Sequence, residues 1–315
     1  MIINPVIIVG APRSGTSLLF HILRTTQPLW SLPSEGFHIW NNISHPSLYN
    51  WSSEECPDVG ELLSTQKQLI LKLYNEQIMP NWFWNRIGYE KIWKFSKTRA
   101  QKIERKMQGE LFINLTKILF YMNPMSNLYG KRLVDKTVSN CLRLDIVKQI
   151  FPEARYIYIK RNGIDTIKSL IHGWLNPDRF VTFSPQEALH INGYNGKDWK
   201  FVMPEGWREF GGRHISELCS WQWQKCHEKI LEFRERNASL FLDIKLEELV
   251  ATPADVLKSV ADFSELPYEN FSAYTTKLPV VNEDPGNMKD VFPFPEYLQK
   301  IKEDISPLMK RLGYD

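Results

Sequence analysis

The first thirty residues combine an unbroken apolar run with a helical pattern of apolar positions. Residues 6–9 are all β-branched, and the turn after them is bounded by Gly10 and Gly15. Apolar residues at helical spacing follow directly within residues 18–23. This pattern predicts a buried strand, a tight loop and the start of a helix.

The same two patterns alternate along the rest of the chain. Besides residues 6–9, strands are predicted at residues 29–32, 132–137, 155–160 and 240–244. Helices are predicted at residues 16–25, 61–79, 97–121, 141–151, 164–175, 213–236, 253–266 and 296–312. Long loops are predicted at residues 41–60, 176–212 and 279–295. The alternation of strands and helices favours an α/β protein whose strands are parallel and joined by right-handed crossovers.

The composition and charge of the chain indicate the class of protein and predict its cellular location. The chain has 315 residues, of which 43% are hydrophobic and 24% charged, as is typical of a soluble globular protein. A net charge of +3 is too small to indicate nucleic-acid binding. The four cysteines have no metal-binding spacing, and free thiols fit a reducing compartment. No apolar run approaches the roughly 20 residues of a membrane helix, and no signal peptide precedes residue 6, so we predict a cytoplasmic protein without a membrane span.

The loop between Gly10 and Gly15 is a candidate anion site. Its glycines let the backbone approach a ligand, and the amides of residues 13–17 lie at the start of the predicted helix. The spacing is close to the nucleotide-binding P-loop, but Thr16 replaces the lysine of that motif, and the cation is Arg13. The loop also carries hydroxyl groups on Ser14, Thr16 and Ser17. An arginine and hydroxyls suit a strongly anionic group without a metal, although a turn without a ligand stays an alternative.

The sequence Pro-Arg-Ser-Gly-Thr-Ser at residues 12–17 resembles the 5′-phosphosulfate loop of sulfotransferases that use 3′-phosphoadenosine 5′-phosphosulfate (PAPS). In that family a later strand ends in Arg, and a helical Ser follows eight residues after it. Arg161 follows the predicted strand 155–160, and Ser169 lies eight residues beyond it. The resemblance is to bacterial-type members, with a motif layout related to the tyrosine sulfotransferases. It implies a P-loop-NTPase-like three-layer fold with a central parallel sheet of about five strands flanked by helices. Because the sequence shows no internal repeat, low-complexity tract or linker, residues 1–315 are predicted to form a single domain.

The resemblance also implies the donor and the residues that bind it. The donor is PAPS, its product is adenosine 3′,5′-bisphosphate (PAP), and no metal is required. Arg13 and the loop amides would stabilise the leaving 5′-phosphate, while Arg161 and Ser169 would hold the 3′-phosphate. The residues expected to contact the donor are Arg13, Ser14, Gly15, Thr16, Ser17, Arg161, Ser169 and Lys289.

Four residues are candidates for the chemistry itself: Arg13, Lys136, Glu35 and His38. Lys136 ends a predicted strand and resembles the lysine that contacts the bridging oxygen in the tyrosine sulfotransferases. Glu35 lies 22 residues after Arg13, near the place of the catalytic glutamate in that subfamily. His38 is the competing general base, because cytosolic sulfotransferases use a histidine.

The acceptor is expected to be a hydroxyl-bearing small molecule, lipid or polyketide-like compound, either free or carrier-bound. Apolar walls are suggested by aromatic residues in the segment 82–95 and at Trp174, Trp199 and Trp207. Two other functions stay open: a P-loop nucleotide kinase or NTPase, and a catalytically silent module that binds adenosine nucleotides. The kinase is disfavoured because the P-loop lysine is missing and no strand ends in a clear Mg²⁺-binding Asp.

Overall fold

The computed structural model describes residues 2–55, 62–83, 130–279 and 292–314. The predicted helix at residues 97–121 and the candidate residue Lys289 lie outside the described residues, as does most of the aromatic segment 82–95.

Within the described residues, a six-stranded sheet forms the centre of the fold. Its strands are β1 (Ile2–Val9), β2 (Leu29–Ser31), β3 (Met79–Pro80), β4 (Lys131–Asp135), β5 (Arg155–Lys160) and β8 (Phe241–Lys245). A separate antiparallel pair consists of β6 (Val181–Phe183) and β7 (Trp199–Lys200). The strand order in the main sheet is β3-β2-β4-β1-β5-β8, and every neighbouring pair is parallel except β2 with β3.

Helices connect these strands. The described α-helices are α1 (Thr16–Arg24), α2 (Phe37–Ser44), α3 (Ser64–Gln77), α4 (Leu144–Ile150), α5 (Gly163–Leu175), α6 (Ile215–Arg236), α7 (Leu246–Ala251), α8 (Pro253–Phe263) and α9 (Pro295–Arg311). Short 3₁₀ helices occur at Pro46–Tyr49, Val138–Leu142, Trp207–Phe210, Ala238–Leu240 and Tyr268–Tyr274.

Alternate residues of β1 pack on opposite faces of the sheet. Val6 and Ile8 join a buried cluster with apolar residues of α1 and α8, whereas Ile7 and Val9 join a larger cluster with residues of α3 to α6. A parallel strand covered by helices on both faces needs apolar residues at every position, which explains the continuous run at residues 6–9. The three-layer α/β prediction is therefore confirmed. The sheet has six strands rather than about five because β3 adds a short antiparallel edge strand.

Two predicted loops contain regular structure. The predicted loop 41–60 starts inside helix α2, which covers residues 37–44. The predicted loop 176–212 contains strands β6 and β7. The periodicity is hard to detect in both cases, because α2 has eight residues and the two strands have three and two.

Parallel pairing brings four strand ends to one edge of the sheet. The loops that follow β2, β4, β1 and β5 lie side by side in that order. In open α/β sheets, ligands bind at this carboxyl edge. The candidate residues Glu35, Lys136, Arg13 and Arg161 all follow these strands within four residues.

Candidate functional site

The loop between β1 and α1, here called the anion loop (residues 10–17), has a backbone that requires glycine. A Cβ added to Gly10 would lie 2.5 Å from the Ile159 carbonyl oxygen. Gly15 has φ 95° and immediately precedes α1, and a Cβ there would lie 2.7 Å from Leu246 Cδ1. Strand β5 and helix α7 therefore lie directly against the loop backbone, and a side chain at either position would displace it.

The start of α1 fits an anion. The first amides of a helix have no partner within the helix, and together with the helix dipole they attract negative charge. No acidic residue lies in the first turn of α1, and no side chain caps it. Ser14 is fully buried, and its hydroxyl donates to the Ala11 carbonyl at 2.7 Å, which shapes the loop. Thr16 and Ser17 are the first two residues of the helix.

Arg13, Arg161 and Ser169 form one cluster, here called the arginine–serine cluster. The Arg13 Nε donates to Ser169 Oγ at 2.9 Å, and Arg161 Nη1 donates to the Arg13 carbonyl oxygen at 3.2 Å. Ser169 is buried on α5, whereas both arginines are half-buried. The structure thus brings together residues that sequence analysis assigned to two phosphate groups, and two guanidinium groups converge beside the anion loop.

An aromatic residue from the 176–212 segment covers Arg13. The Arg13 guanidinium lies 4.9 Å from the centre of the Phe180 ring, a distance typical of a cation–π contact. Phe180 in turn stacks on Phe201, with ring centroids 4.9 Å apart. Both phenylalanines have positive φ, at 64° and 60°, which is a strained conformation for a bulky residue. Sequence analysis missed Phe180, and no local pattern marks it.

Glu35 and Lys136 meet at the adjacent strand ends. The Lys136 ammonium donates to Glu35 Oε1, and the amide of Val138 donates to Glu35 Oε2 at 3.0 Å. The Lys136 side chain is 6% exposed and that of Glu35 is 30% exposed, so the pair is open to a ligand from the carboxylate side. His38 behaves differently: it is exposed, and its Nε2 lies 2.5 Å from Gln77 Oε1 on α3. The structure therefore pairs Lys136 with Glu35 rather than with His38.

A buried carboxylate lies directly before Lys136. Asp135 is 2% exposed and accepts hydrogen bonds from Asn140 Nδ2 at 2.8 Å and Thr137 Oγ1 at 3.3 Å. Burial raises the pKa of the Asp135 carboxyl to about 6, although the Thr137 hydroxyl opposes the shift. Sequence analysis quoted Asp-Lys-Thr only for its lysine. A carboxylate ending an apolar strand is nevertheless a visible signal.

Three tryptophans expected to line an acceptor site are instead core residues. Trp174, Trp199 and Trp207 are all buried, and they pack edge-to-face at centroid distances of 5.2 and 5.3 Å. These side chains stabilise the 176–212 segment, and they supply no wall for an acceptor. Trp82 is 47% exposed, and residues 84–95 lie outside the described part of the chain.

Among the described residues, no group of three or more His, Cys, Asp or Glu side chains is placed to hold a metal ion. None of the helices in the described ranges is both long enough and apolar enough to cross a membrane.

Sequence comparison then identifies the family. The model of the sulfotransferase family matches residues 5–180 of this chain, more than half of its length. The chain belongs to the sulfotransferase family. The matched segment contains the anion loop, the Glu35–Lys136 pair and the arginine–serine cluster. A search of the curated proteins found no match.

Solved structures of other sulfotransferases are similar to this chain at low sequence identity. The sulfotransferase STF9 from Mycobacterium avium is 14% identical with a TM-score of 0.50, over 100% of this chain and 78% of that one. The sulfotransferase domain of the Synechococcus PCC 7002 olefin synthase is 17% identical with a TM-score of 0.47, over 99% and 96%. A mouse sulfotransferase complexed with PAP is 12% identical with a TM-score of 0.46, over 98% and 87%.

Proposed function

We propose that this sulfotransferase transfers the sulfuryl group of PAPS to a hydroxyl group of a small-molecule, lipid or polyketide-like acceptor. The observation that carries the proposal is the placement of the arginine–serine cluster beside the anion loop, next to the Glu35–Lys136 pair. PAPS supplies a sulfuryl group joined to a phosphate that leaves with the nucleotide. The acceptor class and a cytoplasmic location stay predictions.

The arginine–serine cluster is suited to a nucleotide with two phosphate groups. Arg13 lies in the anion loop and is proposed to bind the 5′-phosphate, with the amides at the start of α1. Arg161 and Ser169 are proposed to bind the 3′-phosphate. Because Arg13 already contacts both of them, the two phosphate sites are adjacent and share one group of donors. Charge-assisted bonds from arginine are about twice as strong as neutral ones, so this cluster favours a doubly phosphorylated ligand.

The Glu35–Lys136 pair is proposed to carry out the proton transfer and charge stabilisation. The Glu35 carboxylate, exposed on one side, would accept the proton of the acceptor hydroxyl. The buried Lys136 ammonium would stabilise the negative charge that develops on the leaving oxygen. These two groups and Arg13 provide the charges that the reaction needs, so we propose that transfer requires no metal.

Nucleotide binding tests the proposal directly. Isothermal titration calorimetry should show that PAP binds more tightly than AMP, which lacks the 3′-phosphate, by about 2 kcal/mol. Arg161→Ala should remove this difference by weakening PAP binding and leaving AMP binding nearly unchanged. Arg155→Ala is the matched control, since Arg155 begins the strand that Arg161 follows and contacts Phe263 and Glu265 at the opposite edge of the sheet.

Equal affinity of the wild type for PAP and AMP would contradict the proposed donor. Turnover of PAPS with a panel of phenols and alcohols should proceed in EDTA. ATP hydrolysis or phosphoryl transfer that requires Mg²⁺ would instead favour a kinase or NTPase. PAP binding without PAPS turnover on any acceptor of the panel would favour a silent binding module.

A further inference from the structure

The loops that carry Glu35 and Lys136 are joined by a hydrogen bond one residue further along each loop. The amide of Gly36 donates to Thr137 Oγ1 at 2.8 Å, although the two residues are 101 positions apart. Gly36 follows Glu35, and Thr137 follows Lys136. The bond therefore fixes the two backbones directly beside the Glu35–Lys136 contact.

The Thr137 hydroxyl both accepts and donates a hydrogen bond in this arrangement. It accepts from Gly36 and donates to Asp135 Oδ1 at 3.3 Å, so its orientation is set from both sides. Thr137 is 1% exposed, and water is not available to replace either partner. A buried hydrogen-bond donor that loses its acceptor is costly, so this bond resists separation of the two loops.

Asp135 is also held by a second donor. Asn140, in the 3₁₀ helix after Lys136, donates to Asp135 Oδ2 at 2.8 Å. Because Thr137 donates to Oδ1 and Asn140 to Oδ2, the carboxylate has little freedom to rotate. The neighbouring Tyr74 hydroxyl on α3 accepts from Trp40 Nε1 on α2 at 2.9 Å.

The backbone at Gly36 packs tightly on this network. A Cβ placed on Gly36 would lie 3.0 Å from both Thr137 Oγ1 and the Tyr74 hydroxyl oxygen. The loop after Glu35 is therefore seated against the network with no room for a side chain. Arg24 secures the preceding part of the same loop by donating to the Leu32 carbonyl at 3.1 Å.

We propose that Thr137 and Asp135 are positioning residues that keep the Glu35 carboxylate in contact with the Lys136 ammonium. This inference rests on the proposed function, because it gives that pair its role in the transfer. Thr137 joins the two loops, and Asp135 fixes the Thr137 hydroxyl. Small errors in the placement of reacting groups lower rates strongly, so the network contributes to turnover without touching the donor or the acceptor.

Paired substitutions at Thr137 test the proposal. Thr137→Val keeps the shape of the side chain and removes the hydroxyl, whereas Thr137→Ser keeps the hydroxyl. In Thr137→Val, hydrogen exchange at the Gly36 amide should become about tenfold faster, and kcat should fall by about 10- to 100-fold. The affinity for PAP, measured by calorimetry, should not change, because neither residue belongs to the arginine–serine cluster. Thr137→Ser should restore both exchange protection and kcat.

Thr26→Val is the matched control. Thr26 is also buried, and its hydroxyl also donates to a backbone oxygen, that of Ile22 at 2.9 Å, at the far end of α1. This control gives the effect of losing a buried hydroxyl elsewhere in the fold. If Thr137→Val matches Thr26→Val in kcat, the positioning role is wrong, whether or not the Gly36 amide exchanges faster. Absence of PAPS turnover in the wild type would contradict the proposed function, which is a separate result.

Discussion

At the scale of single residues, Glu35 and His38 are only three positions apart in the sequence, but their side chains have different surroundings. Glu35 lies before α2 and contacts Lys136, whereas His38 lies in the first turn of α2 and contacts Gln77 on α3. Both are candidate bases by residue type. Only Glu35 combines a carboxylate with a contact to a lysine at the carboxyl edge of the sheet.

This difference predicts unequal effects of substitution. Glu35→Gln keeps the shape of the side chain and removes the base, so turnover of PAPS should fall by about 10²- to 10⁴-fold. His38→Asn should have a milder effect in the same assay. The affinity for PAP should be nearly intact in both variants, because neither residue belongs to the arginine–serine cluster. A normal rate for Glu35→Gln together with an inactive His38→Asn would make His38 the base.

Much of the candidate site follows from residue types that stand next to predicted strand ends. Arg13, Lys136 and Arg161 are recognisable in this way, and the structure brings the predicted residues Arg161 and Ser169 to Arg13. Their roles stay predictions. The positioning residues could not be inferred, because the contact between Gly36 and Thr137 spans 101 positions and depends on which loops the sheet order makes adjacent.

At the scale of elements, the main strands and helices were predictable because their apolar periods are long and clear. The 176–212 segment was not, since its order comes from tertiary contacts rather than from periodicity. Glu54 holds this segment by accepting from the Met203 amide at 2.7 Å, while its own amide donates to the Met203 carbonyl at 3.1 Å. Arg143, just after the 3₁₀ helix that follows Lys136, lies 3.7 Å from the same carboxylate. A buried ion pair thus ties the segment that carries Phe180 to the segment that follows Lys136.

Breaking this pair should be costly. Glu54→Ala leaves the Arg143 guanidinium buried without its carboxylate, and the free energy of unfolding at pH 8 should fall by about 3–5 kcal/mol. Chemical denaturation followed by circular dichroism measures this loss. Glu187→Ala, which breaks the exposed pair with Arg208 in the same 176–212 segment, should have no comparable effect. Similar stability of the two variants would mean that the buried pair does not anchor the segment.

At the scale of the whole molecule, two buried carboxyl groups and two buried histidines make the stability depend on pH in opposite directions. Burial raises the pKa of Asp135 to about 6 and that of Glu54 to about 7. Burial lowers the pKa of His21 to about 4 and that of His227 to about 3. The carboxyl groups bind more protons in the native state, so their contribution falls as pH rises to 7. The histidines bind fewer, so their contribution rises over nearly the same range, and the two trends oppose each other.

Removing one of the carboxyl groups should change the pH dependence of stability. The amide that replaces the carboxyl group in Glu54→Gln does not titrate. The variant therefore does not undergo the loss of stability that the wild type undergoes as pH rises from about 4.5 to 7. Its free energy of unfolding relative to the wild type should therefore increase between pH 5 and pH 8, by on the order of 3 kcal/mol. Denaturant titrations of both proteins at several pH values measure this difference. A difference that does not vary with pH would show that Glu54 is not protonated in the native state near neutrality.

The strand order has a geometric consequence for the direction of transfer. Glu35, Lys136, Arg13 and Arg161 follow the strands β2, β4, β1 and β5, which are consecutive neighbours in the sheet. Neighbouring strands lie about 4.8 Å apart, so these groups extend over roughly 14 Å along a line perpendicular to the strands. Under the proposed function, the sulfuryl group moves sideways along this line, away from the nucleotide and toward β2. The acceptor then approaches from the side of β3, the last strand of the sheet among the described residues, and the bound nucleotide does not limit its length beyond the reacting hydroxyl.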